Sequence, residues 1–318
     1  MRRCPNPSQS LIGRVTKNPP EMIGTMLKSH DRYPFVPITE REPYDWPNGA
    51  RLAVYVALNV EQFPFGEGLG VPLAPAQAEP DVVNFSWRDY GNRVGFWRIL
   101  EMFDEFEFPL AMNINTEVFE HCPQIGAAIL KRGDEIIAHG RTNAERQGTM
   151  DEPQERALIA ATTEKIRDFQ GKPPSGWMSP WVSESTVTPD LLQEAGFRYL
   201  MDWGFDDQPI WLKTKSGRIL SIPYPRPTND LPMLHARNFT PAQYADILID
   251  QFDEMRRQAQ TAPLVFGLSF HPYLIGHAFT LKHIRRSISH IASHRDVWLA
   301  RPGEIANHVQ NLPKGIVD

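Results

Sequence analysis

The segment RLAVYVALNV, residues 51–60, decides the fold of this chain. It is an almost continuous apolar run of strand length, the pattern of a strand that is buried on both faces of a parallel sheet. Shorter runs of the same kind recur along the chain and each predicts a strand; they lie at residues 111–114, 135–138, 176–178, 199–201, 218–222, 264–270 and 297–299.

Helical spacing separates most of these runs. Apolar side chains follow a three-to-four repeat from Tyr244 to Met255, and Thr240 followed by Pro241 is a helix-start signal. Further helices are predicted at residues 91–106, 158–169, 188–197 and 281–293. The alternation predicts a mostly parallel α/β fold. A barrel is favoured over an open doubly wound sheet, because no glycine-rich phosphate loop joins a strand to a helix. The glycines of GEGLG, residues 66–70, precede Val71 and Pro72 instead of a helix start.

Composition narrows the functional classes. Hydrophobic residues make up 41% and charged residues 22% of the 318, which excludes fibrous and wholly disordered proteins. A net charge of -5 argues against nucleic-acid and anionic-membrane partners and favours a small-molecule ligand. Two cysteines cannot form a disulfide framework or a cysteine-rich zinc site. Without a signal peptide or a long apolar run, we expect a cytoplasmic protein.

Proline is in excess, and it is unevenly distributed. Eight of the 29 prolines fall within the first 47 residues, which are polar and show no clear period. We therefore predict an extended arm over residues 1–47 and one catalytic barrel over residues 48–318.

Polar residues follow five of the predicted strands. In α/β barrels the active site lies where the carboxyl ends of the strands meet, so these residues are the candidate site. They are Glu61-Gln62, the segment from His139 through Arg141 to Asn143, Pro180-Trp181, Asp202-Trp203 and His271-Pro272-Tyr273.

The order and spacing of these motifs resemble those of the polysaccharide deacetylase, or NodB-homology, family over residues 48–310. The resemblance implies a distorted (β/α) barrel of seven or eight strands and hydrolysis of a carbon–nitrogen bond other than a peptide bond. In the metal-dependent members, the second acid of the first motif and two histidines of the second hold a divalent ion. Here Gln62 and Asn143 stand at two of these positions, and His139 stands at the third.

An amide oxygen carries no charge to balance a dication, so we expect no metal cofactor. If zinc is bound, Glu61 and His139 are its expected ligands. The departure is similar to the branch of the family that contains allantoinase and the cyclic imide hydrolases, which are cytoplasmic and tend to assemble. By that similarity we expect a homodimer or homotetramer.

The resulting hypothesis is metal-independent ring opening of a cyclic amide, such as an imide, a ureide or an allantoin-like ring. Glu61, with a pKa raised by its apolar strand, would be the general base, and His271 would protonate the leaving nitrogen. The other roles are assigned as follows: His139, Gln62 and Asn143 polarise the carbonyl, Arg141 orients a second carbonyl or forms a surface salt bridge, Trp181 and Trp203 sandwich the ring, and Asp202 belongs to the same binding set.

Two alternatives remain open at this level. One is a metal-dependent N-deacetylase of an acylated amino sugar, which would belong to carbohydrate metabolism. The other is a barrel that has lost catalysis and only binds a ligand.

Overall fold

The computed structural model describes residues 29–68, 70–76 and 78–317. The chain divides into a short unit, Met1–Asp31, and a large unit, Arg32–Asp318, and the fold is that of the large unit. Nine strands occur within its described residues: β1 Leu52–Val60, β2 Leu110–Ile114, β3 Glu135–Ala138, β4 Gly176–Trp177, β5 Tyr199–Leu200, β6 Ile210–Thr214, β7 Gly217–Ser221, β8 Leu264–Phe270 and β9 Val297–Leu299.

Ten α-helices alternate with these strands in the described part of the chain. They are α1 Val82–Tyr90, α2 Phe96–Glu105, α3 Val118–His121, α4 Pro123–Arg132, α5 Glu152–Gln170, α6 Thr188–Glu194, α7 Pro241–Gln258, α8 Pro272–Ile275, α9 Ala278–Ala292 and α10 Pro302–Gln310. Among the described residues, no helix has the length and apolar character needed to cross a membrane.

The sheet runs in the order β6-β7-β5-β4-β3-β2-β1-β8, and β9 pairs with β1 beside this path. Every pair is parallel except the β6–β7 hairpin. The predicted distorted barrel with mostly parallel strands is confirmed. Strand β6 was not predicted, because its sequence IWLKT alternates between buried and partly exposed positions and forms no apolar run.

Strand β1 is the centre of the sheet, and all nine of its residues are buried. One edge pairs with β8 over Leu52–Leu58. The other edge is shared, since β9 pairs with Leu52–Val54 and β2 with Val56–Val60. A strand with partners on both edges and apolar cover on both faces is what its continuous hydrophobic run predicts.

The register brings the carboxyl ends of three strands together. Val60 pairs with Ile114, and Ile114 pairs with Ala138, so Glu61 and His139 follow their strands at one level. Leu58 pairs with Phe270, which places His271 beside the same end of β1. The parallel sheet thus converts residues distant in sequence into neighbours at one edge.

Helix α7 begins where its sequence signal predicts. The Thr240 hydroxyl accepts from the Gln243 amide at 3.3 Å, and the Gln243 side chain accepts from the Thr240 amide at 3.0 Å. This reciprocal pair satisfies amides that would otherwise be unpaired in the first turn.

Residues 32–47 pack against the rest of the large unit. The Trp46 side chain is almost fully buried, and its indole donates to the Leu264 carbonyl at 3.0 Å. Arg41 binds both carboxylate oxygens of Asp206, at 2.7 and 2.6 Å. The packing therefore shows no break at residue 47, where the predicted arm ends; residues 1–28 of that arm lie outside the described residues.

Candidate active site

A cavity of about 340 Å³ opens at the carboxyl ends of the strands. Its lining joins polar groups with an apolar wall: Asn59, Glu61, His139, Asn143, Tyr224, Arg226, Asn229, His235, His271 and Tyr273 are polar, and Val71, Met178, Trp181, Val182, Leu231, Pro232 and Ala236 are apolar or aromatic. This mixture suits a small ring with a few hydrogen-bonding atoms. A larger depression of about 590 Å³ near Phe205 shows no such convergence, because its Arg41 and Asp206 are bound to each other.

Glu61 lies between two imidazoles. Its Oε1 atom is 3.7 Å from His139 Nε2 and 3.7 Å from His271 Nε2. These separations exceed a hydrogen bond, so the carboxylate faces each ring across a short gap. Tyr273 donates its hydroxyl to Oε2 at 3.2 Å, and Asn92 donates to the Glu61 carbonyl at 2.9 Å. The position of Glu61 is thus held through both its backbone and its side chain.

The pKa of Glu61 is lowered from its usual value, and the predicted increase is wrong in direction. Burial, the largest single influence, raises the pKa, but His271, His139 and the buried Arg88 guanidinium together outweigh it. A carboxylate below its ordinary pKa is ionised at neutral pH, as a general base must be.

His271 is paired with Asp230. Its Nδ1 atom lies 2.6 Å from Asp230 Oδ1, and its backbone amide donates to Oδ2 at 2.6 Å. Burial opposes protonation of the ring, but the charges of Asp230 and Glu61 raise its pKa above the usual value. The pair orients the ring so that Nε2 faces Glu61, and it stabilises an imidazolium that can donate from Nε2.

His139 has a different partner and therefore a different capacity. Its Nδ1 atom lies 2.6 Å from the Met178 carbonyl, which can only accept a hydrogen bond, so Nδ1 carries a proton. In the neutral ring, Nε2 is then an acceptor. The predicted role of His139 in polarising a carbonyl would require a charged ring; the neutral ring suits a substrate N–H. Neither His139 Nε2 nor Asn143 Oδ1, both buried, has a hydrogen-bond partner among the described residues.

A polar network forms another part of the cavity wall. The Ser269 hydroxyl lies 2.5 Å from the Tyr224 hydroxyl, and it accepts from Asn59 at 3.0 Å and from Asn229 at 2.9 Å. Burial raises the pKa of Tyr224 to about 12, so its hydroxyl stays protonated across the working range of pH. These groups present neutral hydrogen-bonding atoms to the cavity.

Trp181 lines the cavity from a constrained turn. Trp181 and Val182 have φ angles of 64° and 55°, a left-handed backbone that is rare for residues other than glycine. Asp202 holds the turn by accepting from the Ser179 amide at 2.8 Å and its hydroxyl at 2.6 Å. Asp202 itself does not line the cavity. It acts as a positioning residue instead of the substrate ligand that was predicted.

Three further predicted ligands lie outside the cavity. Arg141 is bound to Glu145 four residues on and is half exposed, which is the surface salt bridge foreseen as its alternative role. Trp203 donates its indole to Glu184 at 2.7 Å, so it cannot sandwich a ring with Trp181. Gln62 follows Glu61 in extended chain, where successive side chains project to opposite faces. Its backbone carbonyl accepts from the Asn143 amide at 3.0 Å.

Several site residues were not found from the sequence. Asp230 lies in the loop after β7, 41 residues before His271, and no periodic pattern links the two. Arg88 lies on α1 and contributes charge from behind Tyr273, with its guanidinium 5.7 Å from that ring. Tyr273 follows His271 closely in sequence, and this proximity was the one available signal.

The donor set does not fit a tightly held divalent ion. At the three positions that hold metal in the resembling family, this chain has one imidazole and two neutral amides. Among the described residues, the one group that brings three His, Cys, Asp or Glu ligand atoms within 4.8 Å of one another is Asp253, His290 and His294. That group belongs to α7 and to α9 with the turn after it. Glu61, His139 and His271 do not converge in this way.

Comparison with known proteins identifies the relatives of this chain. The family model described as polysaccharide deacetylase matches residues 78–200. A peptidoglycan deacetylase of Helicobacter pylori is 26% identical over 250 residues, which cover 69% of this chain and 84% of that protein.

Solved structures extend the likeness over most of the fold. The PuuE allantoinase is 30% identical with a TM-score of 0.74, and the match covers 83% of this chain and 91% of that one. A probable polysaccharide deacetylase of Pseudomonas aeruginosa PAO1 is 28% identical with a TM-score of 0.75, and the match covers 86% and 95%. The family match, the distorted barrel and the order of the strand-end residues agree, and the chain belongs to the polysaccharide deacetylase family.

Proposed function

We propose that this protein hydrolyses a carbon–nitrogen bond in a cyclic amide, such as an imide, a ureide or an allantoin-like ring, without a catalytic metal. The observation that carries the proposal is the Glu61 carboxylate, buried at the cavity between two imidazoles at 3.7 Å. The likeness to an allantoinase at 30% identity supports this class of substrate.

Glu61 begins the reaction by taking a proton from water. The water oxygen attacks the ring carbonyl carbon, and the C–N bond of the tetrahedral intermediate then breaks. The leaving nitrogen receives the Nε2 proton of the His271 imidazolium. Protonated Glu61 then returns its proton to His271, so one water is added and both side chains are restored.

Neutral groups of the cavity complete the arrangement. Asn143 is the candidate donor to the developing oxyanion, since its side-chain amide lines the cavity and makes no hydrogen bond to the described residues. His139 Nε2 accepts a substrate N–H. An imide or ureide carbonyl is more electrophilic than that of an ordinary amide, because the nitrogen shares its lone pair between two carbonyls. Such a substrate reduces the need for a metal.

A substrate panel tests the proposal against its main rival, metal-dependent N-deacetylation of an acylated amino sugar. Succinimide, hydantoin, dihydrouracil and allantoin would be followed by loss of absorbance, and acetate release would be measured from chito-oligosaccharides. We expect ring opening and no acetate. Acetate release alone would overturn the proposal, and inactivity on every compound would favour a ligand-binding barrel.

Glu61→Gln should lower kcat by about 10²- to 10⁴-fold, because the amide cannot accept the water proton. The substitution keeps the size of the side chain, so the melting temperature should change little. Glu145→Gln is the matched control, because this carboxylate follows the end of β3 and binds Arg141 outside the cavity. Full activity of Glu61→Gln would show that the base is misassigned.

Metal content gives an independent test. Purified protein should hold well below one divalent ion per chain, and chelators should leave ring opening unchanged. Because Asp253, His290 and His294 form a surface group with metal-ligand spacing, His290→Gln should be measured in parallel. Stoichiometric zinc that persists in this variant, together with chelator-sensitive activity, would refute metal independence.

A cytoplasmic location and assembly into a homodimer or homotetramer belong to the same proposal. They rest on the resemblance to the cyclic amide branch of the family.

A further inference from the structure

Arg226 is a cation without a partner in the wall of the cavity. It lines the same cavity as Glu61 and is exposed to solvent. It forms no ion pair or hydrogen bond with any residue in the described part of the chain. An exposed arginine that faces a concave site without a carboxylate partner is available to bind an anion.

The backbone and stem of Arg226 are held in place. Pro225 and Pro227 flank it and fix their own φ angles, and a residue before proline is restricted to extended conformations. Its aliphatic stem crosses Gly204 so closely that a Cβ atom there would lie 2.8 Å from Arg226 Cγ and 3.7 Å from Cδ. These constraints reduce the entropy lost when the guanidinium binds a ligand.

The surroundings of Arg226 are basic, although the chain is acidic overall. His235 lines the same cavity, and the Arg146 guanidinium lies 4.7 Å from the centre of the Trp181 ring at its wall. Glu61 is the one carboxylate in the lining, and His271, His139 and Arg88 offset its charge. A local basic surface on a chain of net charge -5 favours an anionic ligand at this position.

We infer that the substrate is a cyclic amide bearing a carboxylate, which Arg226 binds while the ring lies over Glu61. This inference rests on the proposed function and names the substrate class within it. The guanidinium matches a carboxylate through two parallel hydrogen bonds. The cavity, at about 340 Å³, is at the small end of ligand sites, which favours a compact ring with one acidic substituent.

The test compares rings that differ only in the carboxylate. Dihydroorotate is compared with dihydrouracil, and hydantoin-5-acetate with hydantoin, each by kcat/KM. The wild-type protein should prefer the carboxylated member of at least one pair by about tenfold or more. High salt should reduce that preference, because an exposed ion pair is screened.

Variants assign the preference to one side chain. Arg226→Met should lower kcat/KM for the carboxylated ring by about 10- to 100-fold and leave the uncharged ring within about threefold. Arg226→Lys should restore part of the loss, since it keeps the charge without the planar fork. Arg295→Met, an exposed arginine in the turn before β9, controls for the change in overall charge.

Binding provides a readout that does not depend on turnover. Calorimetry with orotate and uracil, flat rings without the saturated C–C bond, should show tighter binding of orotate that Arg226→Met removes. Opening of uncharged rings with no carboxylate preference would overturn this inference and leave the proposed function standing. If no ring is opened, the proposed function fails and the inference fails with it.

Discussion

At the scale of single residues, the site depends on a balance around Glu61. Burial removes water from the carboxylate and favours its protonated form, while two imidazoles and the Arg88 guanidinium favour the charged form. Arg88 pays a cost of its own, because burial lowers its pKa from the usual value. The balance leaves an ionised carboxylate in a partly dry site, where its basicity is not diminished by strong hydrogen bonds.

The pH profile of kcat/KM should be bell-shaped, because the mechanism needs ionised Glu61 and protonated His271. The pKa of Glu61 is lowered, so activity should fall only below about pH 4.5. The pKa of His271 is raised, so activity should be lost as the pH rises through a value above about 6.5.

Asp230→Asn removes a charge that raises the pKa of His271, so the alkaline limb of this profile should move to lower pH. Asp250→Asn, at an exposed position of α7, should leave the limb in place. Circular dichroism would verify that both variants fold. An unmoved alkaline limb in folded Asp230→Asn would exclude His271 as the acid.

Residue-level sequence reasoning succeeded where the chain is regular. Glu61, His139 and His271 each follow a predicted strand directly, so the parallel sheet brings them to one edge. The side chains of Arg141 and Trp203 also follow strands, but one carboxylate satisfies each of them elsewhere. Which polar side chain turns into a cavity depends on such local partners, and strand ends alone do not reveal them.

At the scale of elements, the loop that contains Gly70 and Val71 shapes the cavity wall. Gly70 has a φ of 71°, and a Cβ atom there would lie 1.8 Å from Trp181 Cζ2. Val71 lines the cavity, and its carbonyl accepts a hydrogen bond from the Arg88 guanidinium. The glycine-rich segment that resembles a phosphate loop thus serves to bring a backbone against an indole.

Gly70→Ala should lower kcat/KM by about tenfold or more, because the methyl group must displace the Trp181 ring. A left-handed alanine also costs about 1–2 kcal/mol of stability. Gly66→Ala separates the two effects, since Gly66 has a φ of 82° with open space around it. We expect both variants to lose similar stability in denaturant titrations and only Gly70→Ala to lose activity; equal losses of activity would argue against a role for this contact.

Element prediction failed at an informative place. Strand β6 pairs with one strand only, and its outward side chains at Trp211 and Lys213 break the apolar run that marks β1 and β8. Single-sided burial leaves a weaker sequence pattern than two-sided burial.

At the scale of the whole molecule, residues 32–47 belong to the structural core of the large unit. The side chains of Tyr44 and Trp46 are buried with residues of β8 and α10 in one apolar cluster. Proline-rich composition suggested an appended arm, but a short polar segment with two buried aromatic anchors can pack as tightly as a regular element. Composition averaged over a window does not register two such side chains.

Trp46→Ala should lower the free energy of unfolding by about 3–5 kcal/mol, since it removes a buried indole and leaves the Leu264 carbonyl without its donor. Phe35→Ala, whose side chain is 91% exposed, should change it by less than about 0.5 kcal/mol. Chemical denaturation measures both. Equal, small effects would show that residues 32–47 contribute little to stability.

The pairing of β1 with β8 has a consequence for synthesis on the ribosome. Strand β1 is translated early, but Leu264–Phe270, which cover one of its edges, emerge only after most of the chain has been made. Until then the nascent polypeptide carries an apolar nine-residue segment without its final neighbours, the kind of segment that favours aggregation. Efficient production in a cell therefore depends on protecting that segment, by chaperones or by early local collapse, for most of the time of translation.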